Sequence, residues 1–282
     1  TPERARFFNV KKPFTHLSYF YSGQTKRLEE GFWATHAQNV SPSTGFNVDY
    51  RSRGTRGMYI HQGTRDRNLS AAFSHTGKKY SVHAGYIFNM GDIKENGGIV
   101  RDKDITDTIF EMPELIEVRL QDARNVFKNN TFYVVQSYGI PLRRLTDEDF
   151  SIAQNSSVFV GHAFQYSRFY KNYTDTKAQS GDYYEHWYIS PTATYDSIFE
   201  SLLSNRVFIQ LQPWDRNGPV GVINAGLGND HHHYYQFRLD DYYRSGNKGT
   251  NRNGTYVYGS VEGKFRRYFD WNAHIRYHLF GY

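Results

Sequence analysis

Two segments of this chain alternate strictly between apolar and polar side chains, and this alternation limits the possible folds more than any other feature. From Tyr80 to Met90 every second residue is apolar, and from Phe269 to Leu279 the apolar and polar sets separate almost completely. A shorter example runs from Phe46 to Arg51. Successive side chains of a β-strand point to opposite faces, so a period of two predicts strands with one apolar and one polar face.

Composition supports an all-β chain. Tyr 24, Phe 21 and Trp 4 make the chain 17% aromatic, and tyrosine alone outnumbers leucine. Strong helix formers are therefore scarce, whereas residues that favour pleated sheets are abundant. With Cys 0, the sequence excludes disulfides, thiolate metal sites and a cysteine nucleophile. The formal net charge of +6 is spread along the chain, which disfavours nucleic acid as a partner.

Turn-forming residues separate the predicted strands, which number about a dozen. We interpret residues 1–282 as one domain, and 91–130 as a long acidic connection within it whose middle, 113–124, could form a short helix. Long connections of this kind are often functional, so this one is a candidate plug or constriction, or equally a loop that projects outward. The predicted turns include Ser41-Pro42-Ser43-Thr44-Gly45, Gly228-Asn229-Asp230 and Asn253-Gly254.

Alternation alone does not distinguish a soluble sandwich from a transmembrane β-barrel, because both have strands with two unlike faces. The apolar sets carry aromatic rings near their ends and Ala84 or Ala273 midway. This distribution favours an antiparallel barrel of outer-membrane type, whose aromatic rings meet the lipid headgroups. The predicted lipid-facing residues are Phe46, Val48, Tyr50, Tyr80, Val82, Ala84, Tyr86, Phe88, Phe269, Trp271, Ala273, Ile275, Tyr277 and Leu279. The predicted pore-lining residues are Asn47, Asp49, Arg51, Ser81, His83, Asn89, Asp270, Asn272, His274, Arg276 and His278.

Short motifs in the first half of the chain resemble the putative-porin family of Bacteroidetes outer membranes. They include Phe7-Phe8-Asn9-Val10, Gly45-Phe46-Asn47-Val48-Asp49-Tyr50, Gly57-Met58-Tyr59-Ile60-His61-Gln62, Tyr86-Ile87-Phe88-Asn89 and Asn96-Gly97-Gly98-Ile99. The resemblance implies an outer-membrane barrel without enzymatic activity, brought there by an export signal absent from this chain and inserted by the barrel-insertion machinery. Because family members are longer, we expect these residues to be a fragment or a partly ordered barrel.

The functional prediction is a porin-like barrel that lets small polar solutes diffuse through the outer membrane, with outer-membrane lipid as its surroundings. One alternative is a non-conducting barrel that serves as a subunit beside other outer-membrane proteins. Another is a soluble all-β carbohydrate-binding module whose aromatic rings stack on sugars.

The sequence offers little support for other kinds of site. His231 and His233 are weak candidates for metal ligands, because two residues apart on a strand they would share one face. Adjacent acidic pairs such as Asp240-Asp241 point to opposite faces and cannot act at one centre. We therefore predict no catalytic residue and no cofactor.

Overall fold

The computed structural model describes residues 2, 5–23, 28–77, 79–106, 112–141, 157–177, 183–186, 190, 192–212, 220–236, 249–265 and 269–281. Its strands are β1 (Phe14–Ser22), β2 (Glu29–Ser41), β3 (Thr44–Thr55), β4 (Thr64–Thr76), β5 (Tyr80–Glu95), β6 (Ala123–Pro141), β7 (Ser157–Asp175), β8 (Thr194–Gln212), β9 (Val222–Gln236), β10 (Thr250–Phe265) and β11 (Phe269–Phe280).

The strands form one antiparallel sheet in which each strand pairs with the next along the chain, from β1 to β11. The predictions of an all-β fold and of about a dozen strands are confirmed. Two short 3-10 turns, Asp102–Ile105 and Pro113–Leu115, lie in the connection between β5 and β6. Among the described residues, no helix has the length and apolar character needed to cross a membrane.

The register of the ladders assigns every strand residue to one of two faces, because directly paired residues of adjacent strands point to the same side. One row runs from β5 to β11 through Tyr80, Tyr138, Val160, Ile209, Ala225, Gly259 and Ile275. We call the face with this row the outer face and the opposite face the inner face.

Burial differs sharply between the two faces. Most large apolar strand residues that are exposed lie on the outer face, with Ile275 72% exposed. Every strand residue that the structure describes as buried lies on the inner face, and these are mostly small or polar. They include Thr35, Ala37, Asn47, Ala72, Thr131, Ala163 and Ser204. In the described part of the chain, all strands belong to this one sheet, and no second layer of strands covers the inner face.

Aromatic rings on the inner face lie over glycines of the neighbouring strand. A methyl group at Gly85, Gly161 or Gly228 would overlap the ring of Tyr133, Phe208 or Tyr256, respectively. Each ring thereby lies against the sheet, and Tyr133 is only 3% exposed. These glycines are needed for close approach of a ring.

This packing overturns two of the predicted turns. Gly228-Asn229-Asp230 lies inside β9, and Asn253-Gly254 lies inside β10. Gly228 makes room for the Tyr256 ring instead of turning the chain. In contrast, Pro42 and Ser43 do connect β2 to β3 in a tight hairpin, as the sequence predicts.

The connections differ at the two ends of the strands. At the end that we call the turn end, the strand bounds leave residues 42–43, 77–79, 142–156, 213–221 and 266–268 between consecutive strands. At the opposite end, which we call the rim end, the connections are 23–28, 56–63, 96–122, 176–193 and 237–249. The acidic connection is thus shorter than the predicted 91–130, because β5 runs to Glu95 and β6 begins at Ala123. The short helix predicted within 113–124 is only the 3-10 turn Pro113–Leu115, since β6 takes up the end of that segment.

Candidate functional site

The candidate site is the inner face, since the register brings the separately predicted polar sets together there. Asn47, Asp49 and Arg51 of β3, the predicted polar residues of β5, and those of β11 all lie on this one face. The predicted apolar sets of the same three strands lie together on the outer face. The structure therefore places these sets consistently, while the roles of lining a pore and facing lipid stay predictions.

Asp49 is the centre of a polar cluster on the inner face of β2 and β3. Its carboxylate accepts hydrogen bonds from Trp33 Nε1 at 2.8 Å, from Thr35 Oγ1 at 2.7 Å and from Arg51 Nε at 3.1 Å. The Arg51 guanidinium lies 4.1 Å from the centre of the Trp33 ring. The cluster fixes one negative and one positive group side by side on the inner face.

A second cluster surrounds Asp230 on β8 to β11. Its carboxylate accepts hydrogen bonds from Ser204 Oγ at 2.6 Å and from Arg276 Nη2 at 2.7 Å. Arg276 also lies 3.5 Å from the centre of the Tyr256 ring. Beside this ion pair, His232 Nδ1 lies 3.1 Å from a carboxylate oxygen of Glu200.

These groups border a cavity of about 230 Å³ on the inner face. Its polar lining includes Glu200, Asp230, His232, Arg252 and Arg276. Sequence reasoning found Arg276 and His278 of this cluster but missed Asp230, because Gly228-Asn229-Asp230 resembles a turn. Only the pairing of β9 with β10, which places Gly228 opposite Tyr256, shows that Asp230 lies within a strand, and no single segment of sequence indicates this.

The segment 5–13 lies over the inner face near the turn end. The backbone N–H of Val10 donates to Asn39 Oδ1 at 3.2 Å, and Asn39 Nδ2 donates to Asn9 Oδ1 at 2.8 Å. The Phe7 ring meets His83 of β5 edge to face, with 4.8 Å between ring centres. The segment therefore spans β2 to β5 and narrows the space that this face borders.

At the rim end, the connection between β5 and β6 folds on itself and on a neighbouring connection. The backbone N–H of Leu120 donates to the carbonyl of Asn96 at 2.9 Å, and Ile99 forms a bridge with Val118. Ile116, Val118 and Leu120 are buried. Asp122 and Thr176 form a hydrogen bond that joins this connection to the one after β7.

Tyr184 ties the connection after β7 to the strand end. Its hydroxyl donates to Asp175 Oδ2 at 3.0 Å and lies 2.6 Å from the Tyr173 hydroxyl. Burial, with these hydrogen bonds, raises the pKa of Tyr184 well above its ordinary value. The neutral phenol is thus the form that this rim requires.

The histidine pair lies on the outer face of β9, near the rim end. His231 Nδ1 lies 2.6 Å from Asn253 Oδ1, and His233 Nδ1 lies 2.7 Å from Asn251 Oδ1. In the described part of the chain, no three His, Asp or Glu side chains are grouped to hold a metal ion. The two histidines share a face, but we do not propose them as metal ligands.

Comparison with known proteins gives one positive result. The family model described as putative porin matches residues 1–282, the whole chain. No curated protein and no solved structure matches the sequence.

Proposed function

The chain belongs to the putative porin family, and from this premise we propose that it is an outer-membrane β-barrel through which small polar solutes diffuse passively. It acts without a catalytic step. It is inserted by the barrel-insertion machinery and surrounded by outer-membrane lipid, and other outer-membrane subunits are further partners in this proposal.

The observation that carries this proposal is the separation of the two faces. The outer face presents exposed Val, Ile, Leu, Phe and Tyr side chains from strand after strand, which suits a hydrocarbon solvent. The inner face presents hydrogen-bonded and charged groups, which suits water. A barrel that spans a membrane needs this arrangement, because its lipid-facing and lumen-facing residues alternate.

The pore wall combines charges of both signs. Asp49 with Arg51, and Asp230 with Arg276, would each contribute paired charges to the field that a passing ion meets. The segment 5–13 adds Arg6, Lys11 and Lys12 near the turn end. This segment and the rim connections would therefore set the largest solute that can pass. The balance of charged side chains on the inner face would set the preference for anions or cations.

Planar-bilayer recording of the detergent-purified protein tests the proposal. We expect stepwise openings. Arg276→Gln leaves the Asp230 carboxylate without its guanidinium, so the reversal potential in a salt gradient should shift toward cation selectivity. The matched control is Arg168→Gln, the same change on the outer face of β7, which should leave the reversal potential unchanged.

Three results would contradict the proposal in distinguishable ways. A protein that needs detergent but never conducts would be a non-conducting barrel. A protein that stays monomeric without detergent would not be a membrane barrel at all. Equal shifts from both arginine changes would mean that the inner face is not the conducting wall.

A further inference from the structure

The outer face of β4 to β7 carries a band of apolar side chains that includes Leu69, Phe88, Phe132 and Tyr166, and we call it the apolar band. A cluster of exposed cations lies next to this band, on its rim side. We call it the outer cationic patch. It consists of Arg65, Arg67, Lys94, Arg124, Lys128 and Arg168, all exposed. The register places them together: Arg67 pairs with Met90, Met90 with Lys128, and Asn130, on the same face as Lys128, with Arg168.

The patch has little internal compensation. Asp92 is the one carboxylate that the structure describes on the outer face of these four strands, and it is held by Arg124 in two hydrogen bonds of 2.7 and 2.5 Å. Arg67, Lys128 and Arg168 form no ion pair with any described residue. Adjacent strands lie about 4.8 Å apart, so several of these unneutralised charges lie within the reach of one bulky anion.

The patch directly adjoins the apolar band. On β5 the last outer-face residues before it are Tyr86 and Phe88, and Phe88 pairs with Leu69. At the turn end of the outer face, the same four strands carry no Lys, Arg, Asp or Glu in the described residues, only groups such as Tyr80, Tyr138 and Val160. The positive charge is therefore concentrated at one boundary of the band.

A cavity of about 450 Å³ continues the patch toward the rim. Arg56, His61, Arg65 and Lys94 line it together with Asp92. The backbone N–H of Lys94 donates to the carbonyl of Gly63 at 2.8 Å, which fixes the β3–β4 connection as one wall of the cavity. The cavity offers cationic groups around a space large enough for a phosphorylated headgroup.

We propose that the outer cationic patch binds a phosphate-bearing lipid headgroup of the leaflet at the rim end, while the acyl chains of that lipid lie on the apolar band below. Arginine and lysine are the groups that recognise phosphate, and anionic membrane surfaces attract them. The inference rests on the proposed membrane location, but it does not require that the barrel conducts.

Lipid binding to the detergent-solubilised protein tests this inference, with diphosphorylated lipid A as the probe and the same lipid stripped of both phosphates as its partner. Native mass spectrometry and a titration would give the dissociation constants. We expect the wild type to prefer the phosphorylated lipid. The triple variant R67Q/K128Q/R168Q, which leaves the Arg124–Asp92 pair intact, should bind it roughly 100-fold more weakly, since each cation near an anionic lipid contributes about 1 kcal/mol.

The matched control is K11Q/K12Q/K79Q, which removes the same charge from exposed lysines near the turn end and should keep the wild-type affinity. Far-ultraviolet circular dichroism must be equal for the three proteins. Equal affinity for the two lipids, an unaffected triple variant, or an equal loss in the control would each overturn the inference. A protein that binds the phosphorylated lipid yet never conducts would support this inference and contradict only the proposed pore.

Discussion

The inner and outer faces of the same strands differ in how far their apolar side chains are covered. On β5, Tyr86 of the outer face is 39% exposed, whereas the adjacent Ile87 of the inner face is 8% exposed. Both are apolar, yet only the inner one is packed. In a water-soluble sheet the larger apolar set would be the covered one, so this exposure supports the proposed lipid-facing role of the outer face.

The largest predicted effect comes from a charge at an exposed position of the outer face. Ile275 is 72% exposed, so arginine there would be harmless in water. In a barrel inserted in lipid, Ile275→Arg should lower the free energy of unfolding from lipid by about 2 to 4 kcal/mol if the position lies near the midplane. Denaturant titration of the protein folded into liposomes measures this change.

His274→Arg provides the matched comparison, because residue 274 is the exposed inner-face neighbour on the same strand. It should change stability by less than about 1 kcal/mol, since its side chain meets water. If residue 274 proved the more sensitive of the two, the assignment of the faces would be reversed.

A smaller effect is expected where a side chain is added under a ring. Gly161→Val on the inner face collides with the Phe208 ring, and overpacking of this kind costs about 1 to 3 kcal/mol. Gly259→Val, on the outer face, meets its nearest neighbours only at ordinary contact distances of 3.6 and 3.7 Å. The same unfolding titration should therefore rank Gly161→Val well below Gly259→Val in stability, and equal losses would disprove the role of the ring–glycine pairs.

The smallest predicted effect is a pH dependence of stability that Tyr184 contributes at the rim end. The pKa of Tyr184 is raised in the folded protein, so the unfolded chain loses this proton first as the pH rises above about 10. The stability that Tyr184 contributes is fully present below that pH and is lost above it. The thermal midpoint of Tyr184→Phe should fall less steeply above pH 10 than that of the wild type, and tyrosinate absorbance should show at least one fewer late-titrating phenol in Tyr184→Phe than in Tyr183→Phe. An equal number of late-titrating phenols in the two variants would contradict the assignment.

Strands β3, β5 and β11 could be predicted from the sequence because their two faces differ in polarity along their length. Strand β10 could not, since Tyr256 and Tyr258 make its inner face as apolar as Val257 and Val261 make its outer face. The Tyr256 and Tyr258 rings lie over Gly228 and Gly226, which are distant in sequence but adjacent on the neighbouring strand β9. A pattern that depends on the partner strand is invisible in a single segment, and the same is true of the Asp230 cluster.

The outer cationic patch escaped sequence reasoning for a similar reason. Arg67, Lys128 and Arg168 lie far apart along the chain, so their charges look evenly spread. Only the register of β4 to β7 brings them together. Local alternation thus predicts which face a residue occupies, but not which residues of other strands share its position along the sheet.

The ring–glycine pairs also have a consequence for how sequences of this kind can diverge. A glycine such as Gly161 cannot gain a side chain while Phe208 keeps its position, and loss of the ring alone would leave a groove in the wall. Substitutions at the two positions are therefore coupled, because a tolerated change at either requires a compensating change at the other. Related sequences should therefore show correlated variation between residues that are paired across strands of the inner face. Invariance at single positions is not expected.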